Sequence, residues 1–123
     1  MKGGEVKYLI IFIGLVCVGC ATDPWTKEQK VLYGTSLGLK AIDYGQTLDI
    51  ASKPEKYYEI NPIVGEHPSR GRVTSYFIGS TLMHTFISHV LPSKYRTAWL
   101  VSSVVVSAYL VNHNYSIGLR VNF

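Results

Sequence analysis

Residues 73–91 read VTSYFIGSTLMHTFISHVL, nineteen residues without a charged side chain, and residues 97–111 read TAWLVSSVVVSAYLV, fifteen more. Between them stands Pro92-Ser93-Lys94-Tyr95-Arg96, which reads as a short turn, so the two runs form a helical hairpin. The first run approaches the roughly 20 apolar residues that cross a bilayer, and the second falls short. Both are rich in serine and threonine, whose hydroxyls can bond back to carbonyls of their own helix. Two settings stay open for this hairpin: insertion in a bilayer, or packing against another helix as the core of a bundle.

That other helix lies upstream. Thr26 followed three residues later by Gln29 is a capping box, and the helical pattern then runs to Ser52, before Lys53-Pro54 stops it. Leu37, Ala41, Tyr44, Leu48 and Ala51 recur at helical spacing, with Lys40, Asp43, Thr47 and Asp49 elsewhere on the cylinder, so this helix is amphipathic. Gly34 and Gly38 make a Gly-x-x-x-Gly pair, with Gly45 one heptad further on. Each costs up to about 1 kcal/mol of helix propensity, and the expected return is close approach of another helix backbone.

Residues 55–72 are a polar, aromatic connector punctuated by Asn61-Pro62, Gly65, Pro68 and Gly71. It reads as loop with at most one helical turn, in which Asn61 caps and Pro62 takes the first helical position. The tail alternates Tyr115, Ile117, Leu119, Val121 and Phe123 with polar residues or glycine. This resembles the last strand of outer-membrane barrels, but nothing upstream supplies the other strands, so a barrel made by this chain is excluded. A tail packed on the bundle or lying at a membrane interface is expected, and donation of a strand to a partner is the alternative. The fold class is therefore all-α: a small three-helix bundle, or a membrane-associated hairpin plus amphipathic helix, with helices at about 26–52, 72–91 and 97–111 and a short extended C-terminal tail.

Apolar residues make up 47% of the 123 and charged residues 16%, against about 25% charged in an ordinary soluble domain, which leans towards membrane contact. The basic residues are dispersed, so nucleic acid is not an expected partner. The N-terminus reads in three parts. Lys2 and Lys7 precede an uncharged run from Tyr8 to Gly19, which has the length of a signal h-region and is too short to span. Cys17-Val18-Gly19-Cys20 resembles the lipobox of bacterial lipoproteins, departing from its usual pattern at Cys17. The resemblance implies a signal peptide over 1–19 and a mature, lipid-anchored helical domain over 20–123. Its acylated Cys20 would contact membrane lipid, on the outer membrane facing the periplasm because the inner-membrane retention aspartate is missing at Ala21. With cleavage, ten basic residues remain against seven acidic, and Cys20 is left as the lone cysteine, a liability that acylation removes. An uncleaved anchor helix with two inert cysteines is the alternative.

Chemistry-bearing residues are sparse. His84 and His89 lie five apart, about 140 degrees around a helix, so they do not chelate as a pair. Asp43, Gln46 and Thr47 share neighbouring helix positions, and Glu59 with Asn61-Pro62 opens the connector. Asp-x-x-Gln-Thr followed by Glu-x-Asn-Pro resembles some small uncharacterised helical membrane proteins. As a functional cluster, Asp43, Gln46, Thr47, Glu59 and Asn61 would place carboxyls in an apolar setting, able to move protons or bind a cation. As a structural one, a Lys40–Asp43 surface pair and a capped loop would lock the first helix to the second. No nucleophile motif, phosphate loop, cofactor signature or metal-binding cysteine set is present. The chain is thus not expected to be an enzyme or to carry a metal. A non-catalytic envelope lipoprotein that binds or shields another envelope component, most simply a protein partner, leads. A small integral membrane protein modulating a partner, and an enzyme or transporter-like protein using Asp43 and Glu59, are the alternatives.

Overall fold

The computed structural model describes residues 23–123, which carry three helices and no strand. The leader and Cys20 lie outside the described residues. Helix α1 spans Lys27–Ser52, α2 Arg70–Val90 and α3 Ser93–Ser116, so the chain is an all-α three-helix bundle. Direction follows from the bonds between helices. Gln29 near the start of α1 meets Ser93 at the start of α3, and Gln46 meets Val111, so α1 and α3 run parallel. Tyr33 meets Thr85 and Tyr44 meets Thr74, so α2 runs antiparallel to α1. The long α1 is shared by both neighbours, whereas α2 and α3 meet only sparingly.

The helix ends have local causes. At the start of α1 the Thr26 hydroxyl accepts from the Gln29 N–H, and the Gln29 side chain accepts from the Thr26 N–H, both at 3.2 Å. Ser69 caps α2 by accepting from the Arg72 N–H at 3.2 Å, two residues earlier than the composition suggests. The α2–α3 turn is also tighter than expected. Ser93-Lys94-Tyr95-Arg96 is the first turn of α3 rather than a loop, because Pro92 precedes it and the Asp23 carboxylate accepts the Ser93 N–H at 2.7 Å. At the far end the helix runs past the expected end at 111, through Asn112-His113-Asn114 to Ser116, and Gly118, at φ +98°, turns the chain away.

Apolar packing concentrates at one end, where Leu48, Val64, Val73 and Phe77 are buried against Tyr44, Ala51 and Tyr76. Elsewhere α1 turns polar groups inward. Gln29, Ser36, Gln46 and Asp49 are all buried, while Leu37 and Ala41 line an open groove. The expected stripe therefore reaches the core only through Tyr44, Leu48 and Ala51, while its first half opens onto the groove. Between α1 and α2 the contacts are a ladder of hydroxyl and amine groups: Tyr33–Thr85, Ser36–His84, Lys40–Ser80 and Tyr44–Thr74, at 2.7 to 3.3 Å. No buried side-chain nitrogen or oxygen among the described residues lacks a partner, which makes such an interior tolerable.

The C-terminal tail lies along the second half of α1. Leu119 is fully buried, the Arg120 N–H donates to Asp49 Oδ2 at 3.2 Å, and the Asn122 N–H donates to the Gly45 carbonyl at 3.1 Å. A Cβ on Gly45 would come within 2.6 Å of Val121 and 3.2 Å of the Phe123 ring. The close approach at Gly45 thus serves the tail, not a helix.

Candidate functional site

Asp43, Gln46 and Thr47 lie on successive turns of α1, where it faces the end of α3 and the connector. Asp43 accepts a hydrogen bond from the Asn114 side-chain amide at 3.0 Å, and the same amide donates to Gln46 Oε1 at 3.1 Å. Gln46 directs its own amide to the Val111 carbonyl at 3.2 Å. The Thr47 hydroxyl donates back to the Asp43 carbonyl at 2.9 Å and is occupied within its helix. In the connector the Asn61 N–H donates to Glu59 Oε1 at 2.9 Å, and Asn61 Oδ1 accepts from the Ile63 N–H at 3.0 Å, a side-chain cap on the turn that Pro62 begins.

Asp43, Thr47, Glu59 and Asn61, but not Gln46, border a cavity of about 90 Å³ together with His113 and Asn114. It has room for a few water molecules and is too small for an organic substrate. Burial, with the nearby Glu59 charge, pushes the Asp43 carboxyl up to about 6, against the opposing pull of Lys40 and the Asn114 bond. Lys40 forms no close pair with Asp43. Its amine donates to the Ser80 hydroxyl at 3.3 Å, and burial holds it below its usual range. The sole ion pair within 4.0 Å among the described residues is Lys53–Asp49, at 2.7 Å. What the arrangement can do chemically is hold or release one proton at Asp43 near neutral pH. Asp43 is held from α3, because Asn114 stays helical and reaches across.

Asp43 also borders a wider cleft of about 420 Å³ between α2 and α3, with Lys40, Ser80 and His84 on its floor and Ser102, Ser103 and Ser107 along one wall. His84 is buried, bonded to the Ser36 hydroxyl at 3.0 Å and stacked on Tyr33 at 5.8 Å. Burial, then Lys40, holds its imidazole below the usual range. His89 is exposed, bonded to the Thr85 carbonyl at 2.8 Å and leaning on Trp25. The two histidines do not meet in one site, and the described residues contain no group of three metal-ligating side chains.

The most elaborate polar centre is one that sequence reasoning missed. Arg96 is completely buried in the first turn of α3. Its guanidinium donates to the carbonyls of Ser88 at 2.7 Å, Leu91 at 2.9 Å, Asp23 at 3.3 Å and Pro24 at 3.4 Å, and to Gln29 Oε1 at 3.3 Å. Trp25 covers it at 4.8 Å. Gln29 in turn donates to the Ser93 carbonyl and to the Ser93 and Thr97 hydroxyls at 2.9 to 3.0 Å. This knot ties the lead-in to α1, the end of α2 and the start of α3. Its signal in the sequence is a single arginine beside long uncharged runs, read there as a loop charge.

A third feature is open to solvent. A groove of about 610 Å³ runs between α1 and α2, lined by Leu37, Ala41, Tyr44, Phe77, Ile78 and Leu82 among others. A methyl group placed on Gly34 or Gly38 of α1 would meet nothing within 4 Å, so this Gly-x-x-x-Gly pair faces no helix of the described chain. No protein-family model, curated protein or solved structure matches the chain.

Proposed function

We propose that the chain is a lipid-anchored, non-catalytic envelope protein that works by binding another envelope protein, whose helix lies in the α1–α2 groove. One observation carries the reading: an apolar groove open along α1, beside a Gly34-x-x-x-Gly38 pair with no packing partner. Small residues let a helix backbone approach closely, and apolar walls such as Ile78 and Leu82 supply contact area, which is the helix-in-groove mode of recognition. The Gly19-Cys20 junction supports the anchor. Six residues separate Cys20 from the start of α1, so acylation would hold the bundle within about 20 Å of the membrane.

The test is photo-crosslinking in living cells from an unnatural residue at Leu82, beside labelling with a palmitate analogue. Capture of one discrete partner, abolished by Gly38→Phe, supports the groove. Gly38→Phe fills empty space, so the bundle's melting temperature should not fall. Capture that Gly38→Phe leaves intact sinks the groove reading. Cys20→Ala should leave an unprocessed precursor without label, and labelling that persists sinks the anchor.

A second reading is favoured by the Asp43 carboxyl, pushed up to about 6 beside Glu59: proton or cation handling at the small cavity. Asp43→Asn keeps shape and the Asn114 contact region but removes the proton site. Loss of cellular function at normal abundance and helicity would put this reading first.

A further inference from the structure

From His67 to Phe123 the chain carries five basic residues, Arg70, Arg72, Lys94, Arg96 and Arg120, and no acidic one. All seven acidic residues of the described chain, from Asp23 to Glu66, belong to α1, its lead-in and the connector. The fold turns this asymmetry into two sides. The α2–α3 side has charge only at the helix ends, with Arg70 opening α2 and Lys94 opening α3, both exposed. Arg96 is buried in the knot.

Between those ends this side exposes several large apolar side chains. Val101, Val105 and Tyr109 form an i, i+4 stripe on α3, and Phe86 stands exposed on α2. Met83 and Val106 are the exposed lips of the α2–α3 cleft. The hydroxyls of these helices turn inward on the backbone: Ser80 donates to the Phe77 carbonyl, Ser88 to His84, Thr97 to Ser93 and Ser103 to Trp99. These hydroxyls are thus consumed within their helices, while large apolar side chains face outward. An exposed apolar surface of this kind marks an interaction site.

We infer that the α2–α3 side lies against a bilayer containing anionic phospholipid, with the apolar stripe at the acyl-chain boundary and Arg70 and Lys94 on headgroup phosphates. No acidic residue belongs to α2 or α3; of those brought near them, Asp23 is engaged by the Ser93 N–H and Asp43 borders the cleft. This favours an anionic surface over a generic apolar one, and basic residues at both ends fit a helix pair lying along the membrane plane. No described helix is long and apolar enough to cross a membrane, and the contact is one leaflet deep. The inference uses neither the α1–α2 groove nor its partner. It does draw on the membrane proximity that an acylated Cys20 would provide.

The test places one reporter thiol at a time in the lipid-anchored protein, since acylation leaves no other free cysteine. Bimane is attached at Val105→Cys on the proposed contact, or at Thr35→Cys, exposed on α1. The protein is reconstituted in phosphatidylcholine vesicles with or without phosphatidylglycerol. The Val105→Cys label is expected to shift to the blue and to lose most of its emission to acyl-chain nitroxides on anionic vesicles alone, with Thr35→Cys unchanged on both. Arg70→Gln and Lys94→Gln should each weaken the contact about fivefold. Anchoring is scored separately, by retention on neutral vesicles through a high-salt wash. Loss there indicts Cys20 acylation, whereas a retained protein whose Val105→Cys label stays in water on anionic vesicles overturns the lateral contact. A label shielded in intact envelopes but wet on protein-free anionic vesicles assigns the side to a protein and overturns it equally.

Discussion

Asn114 on α3 donates one side-chain amide to both Asp43 Oδ1 at 3.0 Å and Gln46 Oε1 at 3.1 Å, fastening the end of α3 to the middle of α1. Asn114→Leu would leave a half-buried carboxyl and the amide oxygen of buried Gln46 without their donor. It should cost about 1–3 kcal/mol in urea denaturation, and Asp43→Leu a similar amount. An unchanged unfolding midpoint for Asn114→Leu would show that water replaces the amide without loss.

The pH dependence of stability should run in an unusual direction at Asp43. Its carboxyl is raised from 3.8 to about 6 in the folded bundle, through burial first and the Glu59 charge second. The unfolded state therefore ionises more easily, and the protein pays for ionising Asp43 as pH rises from about 4 through 6. That cost is fully present above about 6 and is on the order of 2–3 kcal/mol. His84, held below its usual range by burial and Lys40, opposes it, because stability tied to the neutral imidazole is lost as pH falls. The clean measurement is the difference between Asp43→Asn and the parent protein: the variant should gain stability at pH 7.5 and lose that advantage by pH 4. A gap that stays constant with pH would contradict a raised Asp43.

Arg96→Ala should be among the most damaging single substitutions, because it removes the donor from four carbonyls and leaves Gln29 Oε1 with only the Thr26 N–H. A loss of at least about 3 kcal/mol is expected from charge-assisted bonds of this number. Arg96→Lys should not rescue it, since one ammonium cannot span donors that a planar fork aims in several directions. Thermal unfolding of both variants decides the matter. Stability within experimental error of the parent for Arg96→Lys would mean that the charge, not the fork, matters.

Gly118→Ala tests the exit from α3. At φ +98°, with the Tyr57 hydroxyl 3.0 Å from where a Cβ would sit, alanine incurs both backbone strain and a contact. About 1–2 kcal/mol should be lost, with faster proteolysis of the tail beyond it. Equal protease resistance would show that the tail is held by Leu119 alone.

Much of this architecture is legible in the residues, and the failures share a cause. Helix existence and the capping box at Thr26 and Gln29 follow from local spacing, as does the Asn61 turn. The misread boundaries of α3 do not, because what fixes them is remote: Asp23 caps Ser93, and Asn114 is kept helical by Asp43 and Gln46. The buried face of α1 is legible only in part, since Tyr44, Leu48 and Ala51 do enter the core. Periodicity weighs apolar residues, while this helix buries Gln29, Ser36, Gln46 and Asp49 against partners that lie far along the chain. Of the candidate cluster, Asp43, Thr47, Glu59 and Asn61 do border one cavity. Their joining group, Asn114, carries no local mark that sets it apart from a helix-ending asparagine.

The pairing of α1 with α3 has a consequence for how the chain comes to be folded. Gln29 finds Ser93 64 residues later, Asp43 finds Asn114 71 later, and Asp49 finds Arg120 71 later. Contacts this distant in sequence must await loop closure and slow the search for the native state. A nascent chain emerging N-terminus first holds α1 unsatisfied along its polar face until α3 and the tail are available. The bundle is therefore completed only when the end of the chain is available, and truncations that remove only the final few residues should behave as folding mutants, not as local trims.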